Sequence, residues 1–353
     1  MKNSYTQKEQ YYSDYLVLDK ILDAQFLESD ARSMHAHDEM LFIITHQTYE
    51  LWFKQIRYEL NSILKIFSRT QVNDNTGDLQ IVNQRMTRIA EIWKILVDQV
   101  RILETMTPMD FLDFRSLLAP ASGFQSYQFR QLEAALGLRM QQRHQQAYYK
   151  HQLKSEDLDK IQNLEKEPSL FEALDRWLNR FPFWNVDKYW ADFKVPEGAD
   201  GDLHPFWASY KQIYLQNLAD QERVTIRAKD FDHLFFGGAN RDIRLSPAAC
   251  RAVLFITIYR DYPILQLPFQ FLDKLLQIDE LMSNWRYRHM IMVRRMIGMR
   301  TGTGGSSGAK YLKGALESHL IFADLVGIAT YLIPRHRLPN LPNQIKEHLL
   351  FRL

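Results

Sequence analysis

Cysteine occurs once in the 353 residues, at position 250. That excludes an internal disulfide framework, a CxxC zinc site and the CxxCH attachment of c-type haem. Neither sign of charge dominates: 44 Lys and Arg stand against 42 Asp and Glu, for a net charge of +2, which makes no case for nucleic acid or an acidic surface as partner. Long apolar runs are missing as well. The longest lies near Ala252 to Tyr259 (AVLFITIY), far short of the ~20 residues that cross a bilayer. The opening MKNSYTQKEQ is polar and no apolar h-region follows, so the chain is expected to be soluble and cytoplasmic rather than exported. Strand signals are sparse, and no repeat of 20 to 50 residues is visible.

What is abundant is apolar and aromatic side chains, at 46% and 13% of the chain, and they fall at helical spacing. From His37 to Phe67, residues Phe42, His46, Tyr49, Phe53, Ile56, Leu60, Ile63 and Phe67 advance by alternating steps of four and three, which keeps them on one face of a helix. Asp38 is a plausible cap. A second such helix carries Val82, Met86, Ile89, Trp93, Leu96, Val100 and Leu103. A third, begun at Pro268 and stopped by Gly298, carries Phe271, Leu275, Ile278, Met282, Trp285, His289, Met292 and Met296. These stripes predict an all-α fold, a helical bundle with several long core helices. Residues 1–353 are expected to form one domain, with 140–168 and 181–240 as peripheral elaborations.

Shorter elements fill the intervals. Residues 11–26 read as a helix capped by Ser13 or Asp14, with Tyr12, Tyr15 and Leu16 together on a face that packs either on the body of the protein or on a neighbouring subunit. Thr107 and Pro108 start a short helix that sets Phe111 one turn before Arg115. Another helix spans Phe124 to Leu136 and stops at Gly137. The polar stretch 140–168 makes His144 and His151 surface residues. Ser169 and Glu172 form a capping-box pattern, and 181–210 is the most loop-like part. Ser246 and Pro247 open a helix to about Asp261. After the glycine-rich TGTGGSSG at 301–308, a helix is expected from Lys310 to about Leu332, followed by a connection and a short terminal helix.

Two histidines, His46 and His289, thus stand inside core stripes. Each is either satisfied by a neighbour or placed there for chemistry. Zinc motifs are absent: His35, His37 and His46 do not form HExxH. No GxSxG turn serves a serine hydrolase, and Cys250 beside Arg251 reads as a small buried hydrophobe. The 301–308 loop is neither a phosphate loop nor a dinucleotide fingerprint. A haem site fits better, since it needs one histidine projecting from a helix into an apolar, aromatic cavity. Arg115 is then either a bidentate partner for a carboxylate or half of a structural ion pair.

Longer segments carry a resemblance. HDEMLFIITHQTYELWFKQI, PMDFLDFRSLLAPASGFQSYQFRQLE, and WRYRHMIMVRRMIG followed by GTGGSSG resemble the signature segments of tryptophan 2,3-dioxygenases, as do YSDYLVLDKILDAQ near the start and YLIPRH near the end. The likeness covers nearly the whole chain in the family's order. It implies an all-helical homotetramer with haem b, inserting both atoms of O2 across the indole C2–C3 bond of L-tryptophan to give N-formyl-L-kynurenine, the first step of tryptophan degradation.

Residue by residue, the resemblance makes His289 of WRYRH the iron ligand and His46 of FIITHQ the distal residue that meets the indole N–H. It makes Arg115 of DFR the partner of the substrate carboxylate, and Thr303 of GTGG a contact of the amino-acid end. Phe42 and Phe111 match the indole pocket; Phe111 stands where some members have tyrosine. Ser122 and Gly304 fall on the cofactor side. Tyr12, Tyr15 and Leu16 match residues that reach a neighbouring subunit's site. Two departures are Ala309 and Lys310, where many members have an aromatic, and the weaker pattern over 181–240. The same site acting on another indole, or sensing haem or tryptophan without turnover, are the alternatives.

Overall fold

The computed structural model describes residues 9–69, 77–139, 142, 155–182, 186–225, 228–238, 243–298, 300 and 319–350. Among these residues every regular element is helical and no strand occurs. The chain enters through α1 (Tyr12–Leu16), α2 (Leu18–Leu22) and α3 (Glu28–Ala31). The one helix expected over 11–26 is therefore two. Val17 takes a left-handed conformation, φ 54 and ψ 46, and its N–H closes onto the Ser13 and Asp14 carbonyls. Tyr11, not Ser13 or Asp14, holds the cap position. Side-chain spacing reports a shared face and is blind to one residue that breaks the axis.

Helix α4 (Asp38–Phe67) runs for 30 residues and α5 (Gly77–Leu103) for 27. His37 rather than Asp38 precedes α4, with no side-chain cap. Its first turn is instead fastened by Glu39, whose buried carboxylate accepts from the Glu28 and Ser29 amides at 3.0 and 2.9 Å. Tyr49 donates to the Leu96 carbonyl, Gln99 to that of Thr45, and Arg88 to Glu59, so α4 and α5 are antiparallel. Next come α6 (Pro108–Arg115) and α7 (Tyr127–Leu136). Thr107 and Asp110 form a reciprocal capping box, at 3.3 and 2.8 Å, that fixes where α6 begins. Helix α7 starts three residues later than expected, because Gly123–Gln125 forms a 3-10 turn and Ser126 is the cap. Gly137 ends it at φ 124, where an added Cβ would lie 2.6 Å from the Phe171 Cβ.

Then follow α8 (Ser155–Leu164), α9 (Leu170–Leu178), α10 (Pro205–Asn217), α11 (Asp220–Thr225), α12 (Ala228–Phe236) and α13 (Pro247–Ile258). The Ser169 and Glu172 capping box is present at α9, while His144 and His151 lie outside the described residues. As expected of a loop-like stretch, the described residues of 181–210 are mostly turn and irregular chain ahead of α10, with one 3-10 turn at Asp187–Trp190. Trp190, Phe206 and Trp207 are buried, and His204 caps α10 by accepting from the Phe206 amide at 3.3 Å.

Helix α14 (Pro263–Ile297) is the longest, at 35 residues. It starts five residues before the expected Pro268, since Pro263 takes the first-turn position where a missing N–H costs nothing, and Pro268 lies inside the helix. Gly298 stops it at φ 59. Asn83 donates to the Leu267 carbonyl, and Arg288 pairs with Glu104, so α14 runs parallel to α5. Phe67 meets Phe271 and Phe53 meets Trp285, so it runs antiparallel to α4.

These three helices form the core. Leu60, Ile63 and Leu275 expose none of their surface, each contributing about 1.5–3 kcal/mol by leaving water. Near the end, α15 (Ala323–Ile328) and α16 (Asn343–Leu349) pack on the bundle. The described part of the expected 310–332 helix is helical only from Ala323, and His319 to Phe322 is irregular, bent chain held by side chains of α14. Among the described residues no helix is long and apolar enough to cross a membrane.

Candidate active site

The stripe residues nearest the N-terminus of α4 and the C-terminus of α14 do not pack directly on each other. Between them lies a cavity of about 270 Å³, lined also by residues of α5, α6, α7 and the Ser122 turn. Phe42, His46, Phe111, Arg115, Ser122 and His289, six of the residues singled out from the sequence, all line it.

On α4, His46 sits one turn beyond Phe42, ring centroids 4.1 Å apart, with Nδ1 2.7 Å from the Phe42 carbonyl. A carbonyl only accepts, so Nδ1 carries the proton and Nε2 is left as a bare acceptor; the tautomer follows from the partner. Burial pulls the His46 pKa below its usual 6.5, against the opposing effects of the Phe42 hydrogen bond and the Glu50 charge. The ring is neutral at pH 7. Phe111 approaches Phe42 at 5.8 Å and Phe114 at 5.4 Å, the latter pair perpendicular, which makes a rigid aromatic wall. Arg115 closes α6 one turn past Phe111, half-buried at the same cavity. Ser122 caps the turn that follows, its Oγ accepting from the Phe124 amide at 3.4 Å.

Facing the cavity from α14, His289 stacks on Trp285 with centroids 5.4 Å apart and planes 3° from parallel. Its Nδ1 is buried with no hydrogen-bond partner among the described residues. His289 lines this cavity, and burial, reinforced by the nearby His46, pushes its pKa down to about 4. A neutral imidazole with a free lone pair is the protonation state that binds a metal. Among the described residues no cluster of three or more His, Cys, Asp or Glu side chains is arranged to cage a bare metal ion, so a ligand that needs one protein nitrogen suits the donors present.

Tyr12, Tyr15 and Leu16 are elsewhere. They do not reach their own chain's cavity, and Tyr12 and Tyr15 are 76% and 68% exposed. Thr303 and Gly304 lie outside the described residues. Several lining residues escaped the sequence reading. Trp285 stood in a stripe but was assigned only to the core. Glu50, Arg130, Glu133, Arg286 and His319 also line the cavity, and a charge within a helix gives no sign of being buried until its partners are known. Cys250 is fully buried, its Sγ 3.8 Å from the Leu245 carbonyl, as expected of a small hydrophobe.

A family model described as tryptophan 2,3-dioxygenase matches residues 2–332. The chain belongs to the tryptophan 2,3-dioxygenase family. It is 43% identical to the tryptophan 2,3-dioxygenase of Alteromonas mediterranea, over 97% of this chain and 98% of that one. The enzyme of Bdellovibrio bacteriovorus is 42% identical over the same shares. That of Dictyostelium discoideum is 43% identical over 98% of this chain and 89% of its own. Members of this family are oxidoreductases, and the chain is one: a dioxygenase that oxidises L-tryptophan to N-formylkynurenine.

Proposed function

We propose that the cavity holds haem b with His289 as iron ligand, and that His46, Arg115, Phe42 and Phe111 hold L-tryptophan beside it. The observation that carries this reading is the pairing of two neutral imidazoles, from helices remote in sequence, on one aromatic-walled cavity. The residues fit the cofactor. His289 offers a single uncharged nitrogen donor, its other nitrogen is sealed from solvent, and the walls are apolar enough to accept a porphyrin face.

When bound, the haem supplies the iron at which O2 binds and reacts. The chain's own groups do the rest. His46 Nε2, its proton held on the other nitrogen by Phe42, accepts a hydrogen bond from the indole N–H and so orients C2 and C3 toward the iron side. Phe42 and Phe111 hold the indole plane and keep water out. Arg115 presents a planar fork to the α-carboxylate, which favours a free amino acid over an analogue that cannot make that bidentate contact. Thr303 serves the amino-acid end, and Ser122 and Gly304 the cofactor edge.

The protein works as a homotetramer in this reading. Tyr12, Tyr15, Leu22 and Phe26 leave 68% or more of their surface uncovered in their own chain, an aromatic face suited to a neighbouring subunit's site entrance. Incubating purified protein with haem, then recording the Soret band and N-formylkynurenine formation from L-tryptophan under reducing conditions, tests the proposal. No Soret band after haem addition would sink it.

A further inference from the structure

A second polar cluster borders the cavity, and the roles above leave it unused. Glu133 on α7 has no exposed surface, and Arg130, Arg286 and His319 around it are 5%, 3% and 1% exposed. Glu133 Oε2 accepts from Arg130 Nη1 at 3.0 Å, and Oε1 accepts from Arg286 Nη2 at 3.1 Å. His319 Nδ1 lies 3.8 Å from the same Oε1, and Arg286 Nη1 donates to the His319 carbonyl at 3.1 Å. One carboxylate thus ties together α7, α14 and the segment that leads into α15. Two turns earlier on α14, Asp279 holds the same segment by accepting from the Ile321 and Phe322 amides at 3.1 and 2.9 Å.

Arg286 precedes His289 by three residues, which puts both on one side of α14. Among the described residues the His289 Nδ1 has no hydrogen-bond partner to orient the ring, which stacks on Trp285. The direction of the ring is therefore set by stacking and by the path of the α14 backbone. Arg286 fastens that turn to α7 and to the 319–322 segment, while Arg288 ties it to α5 through Glu104 at 3.0 Å. Buried ionic networks add little stability over apolar replacements of the same volume, so the weight of this one falls on geometry.

We infer that Glu133 is a positioning residue for the candidate iron ligand: through Arg286 it fixes the turn of α14 that presents Trp285 and His289. The inference rests on the haem reading above. Its test is Glu133→Gln in the full chain loaded with haem, read by the iron–histidine stretching vibration of the ferrous protein and by the rate of haem transfer to apomyoglobin. The expected result is a displaced, broadened vibration and transfer about tenfold faster, the scale seen when outer partners of metal ligands are removed.

The paired replacement Glu133→Leu with Arg286→Met separates positioning from stability. It is expected to recover Tm while the vibration stays displaced, whereas a purely structural network would recover both. If Glu133→Gln does not fold, Arg286→Lys, which keeps the cation but loses the fork, carries the same measurements. A wild-type vibration and transfer rate in any folded variant overturns the inference. Wild-type protein that takes up no haem overturns the haem reading itself.

Discussion

Replacing Arg115 by leucine is expected to weaken L-tryptophan binding while leaving haem content intact. The guanidinium ends α6, whose start is pinned by the Thr107 and Asp110 capping box, and it lines the cavity one turn from Phe111. A hydrogen bond to a charged group contributes about 1.5–3 kcal/mol, and the guanidinium fork offers a carboxylate two in parallel. Arg115 is only half-buried, so screening trims the pair to about 2–3 kcal/mol, equivalent to roughly 30- to 150-fold in Kd. Optical titration of the haem-loaded variant with L-tryptophan and with tryptamine, the same indole without the carboxylate, isolates the effect. L-Tryptophan should lose that factor, and tryptamine should bind nearly as it does to the wild type. An equal loss on both ligands would show that Arg115 shapes the cavity rather than pairing with the carboxylate.

His289→Ala should lose haem and turnover together, measured as Soret absorbance per protein; full activity would remove it as the iron ligand. Burial holds the His46 pKa below 6.5, so the acceptor Nε2 is intact above that pH and is lost as pH falls through the lowered value. L-Tryptophan affinity should therefore be flat from about pH 7 to 8 and fall in acid, and His46→Ala should abolish the acid limb. Leu60→Ala, at a side chain with no exposed surface, should cost about 2–5 kcal/mol in urea unfolding. Gly137→Ala places a Cβ 2.6 Å from that of Phe171 at φ 124 and should cost about 2–4 kcal/mol, leaving the substrate KM unchanged.

The long helices and their inward-facing stripes were legible because a stripe at helical period records which side of a helix meets other protein. His46 and His289 could be placed inward on that ground alone. Their roles could not, since periodicity does not distinguish packed core from a cavity wall; the motifs carrying the family resemblance supplied the roles. Element ends were read where a local device marks them, as at Thr107, Ser169, Gly137 and Gly298. They were misread at Val17, where a left-handed residue interrupts an unbroken stripe, and at Pro268, where an earlier proline had already taken the starting position. The charged cluster at Glu133 gave no sign in the sequence. Arg130 at its own i−3 position resembles a solvated surface pair, and Arg286 and His319 come from far along the chain.

The most direct test of the central claim is a single turnover of the ferrous, haem-loaded protein with L-tryptophan and isotopically labelled O2, followed by mass analysis of the product. N-formylkynurenine carrying both labelled oxygen atoms is the expected result. Product with one labelled atom or none, or no product from protein that shows a full Soret band, would contradict it.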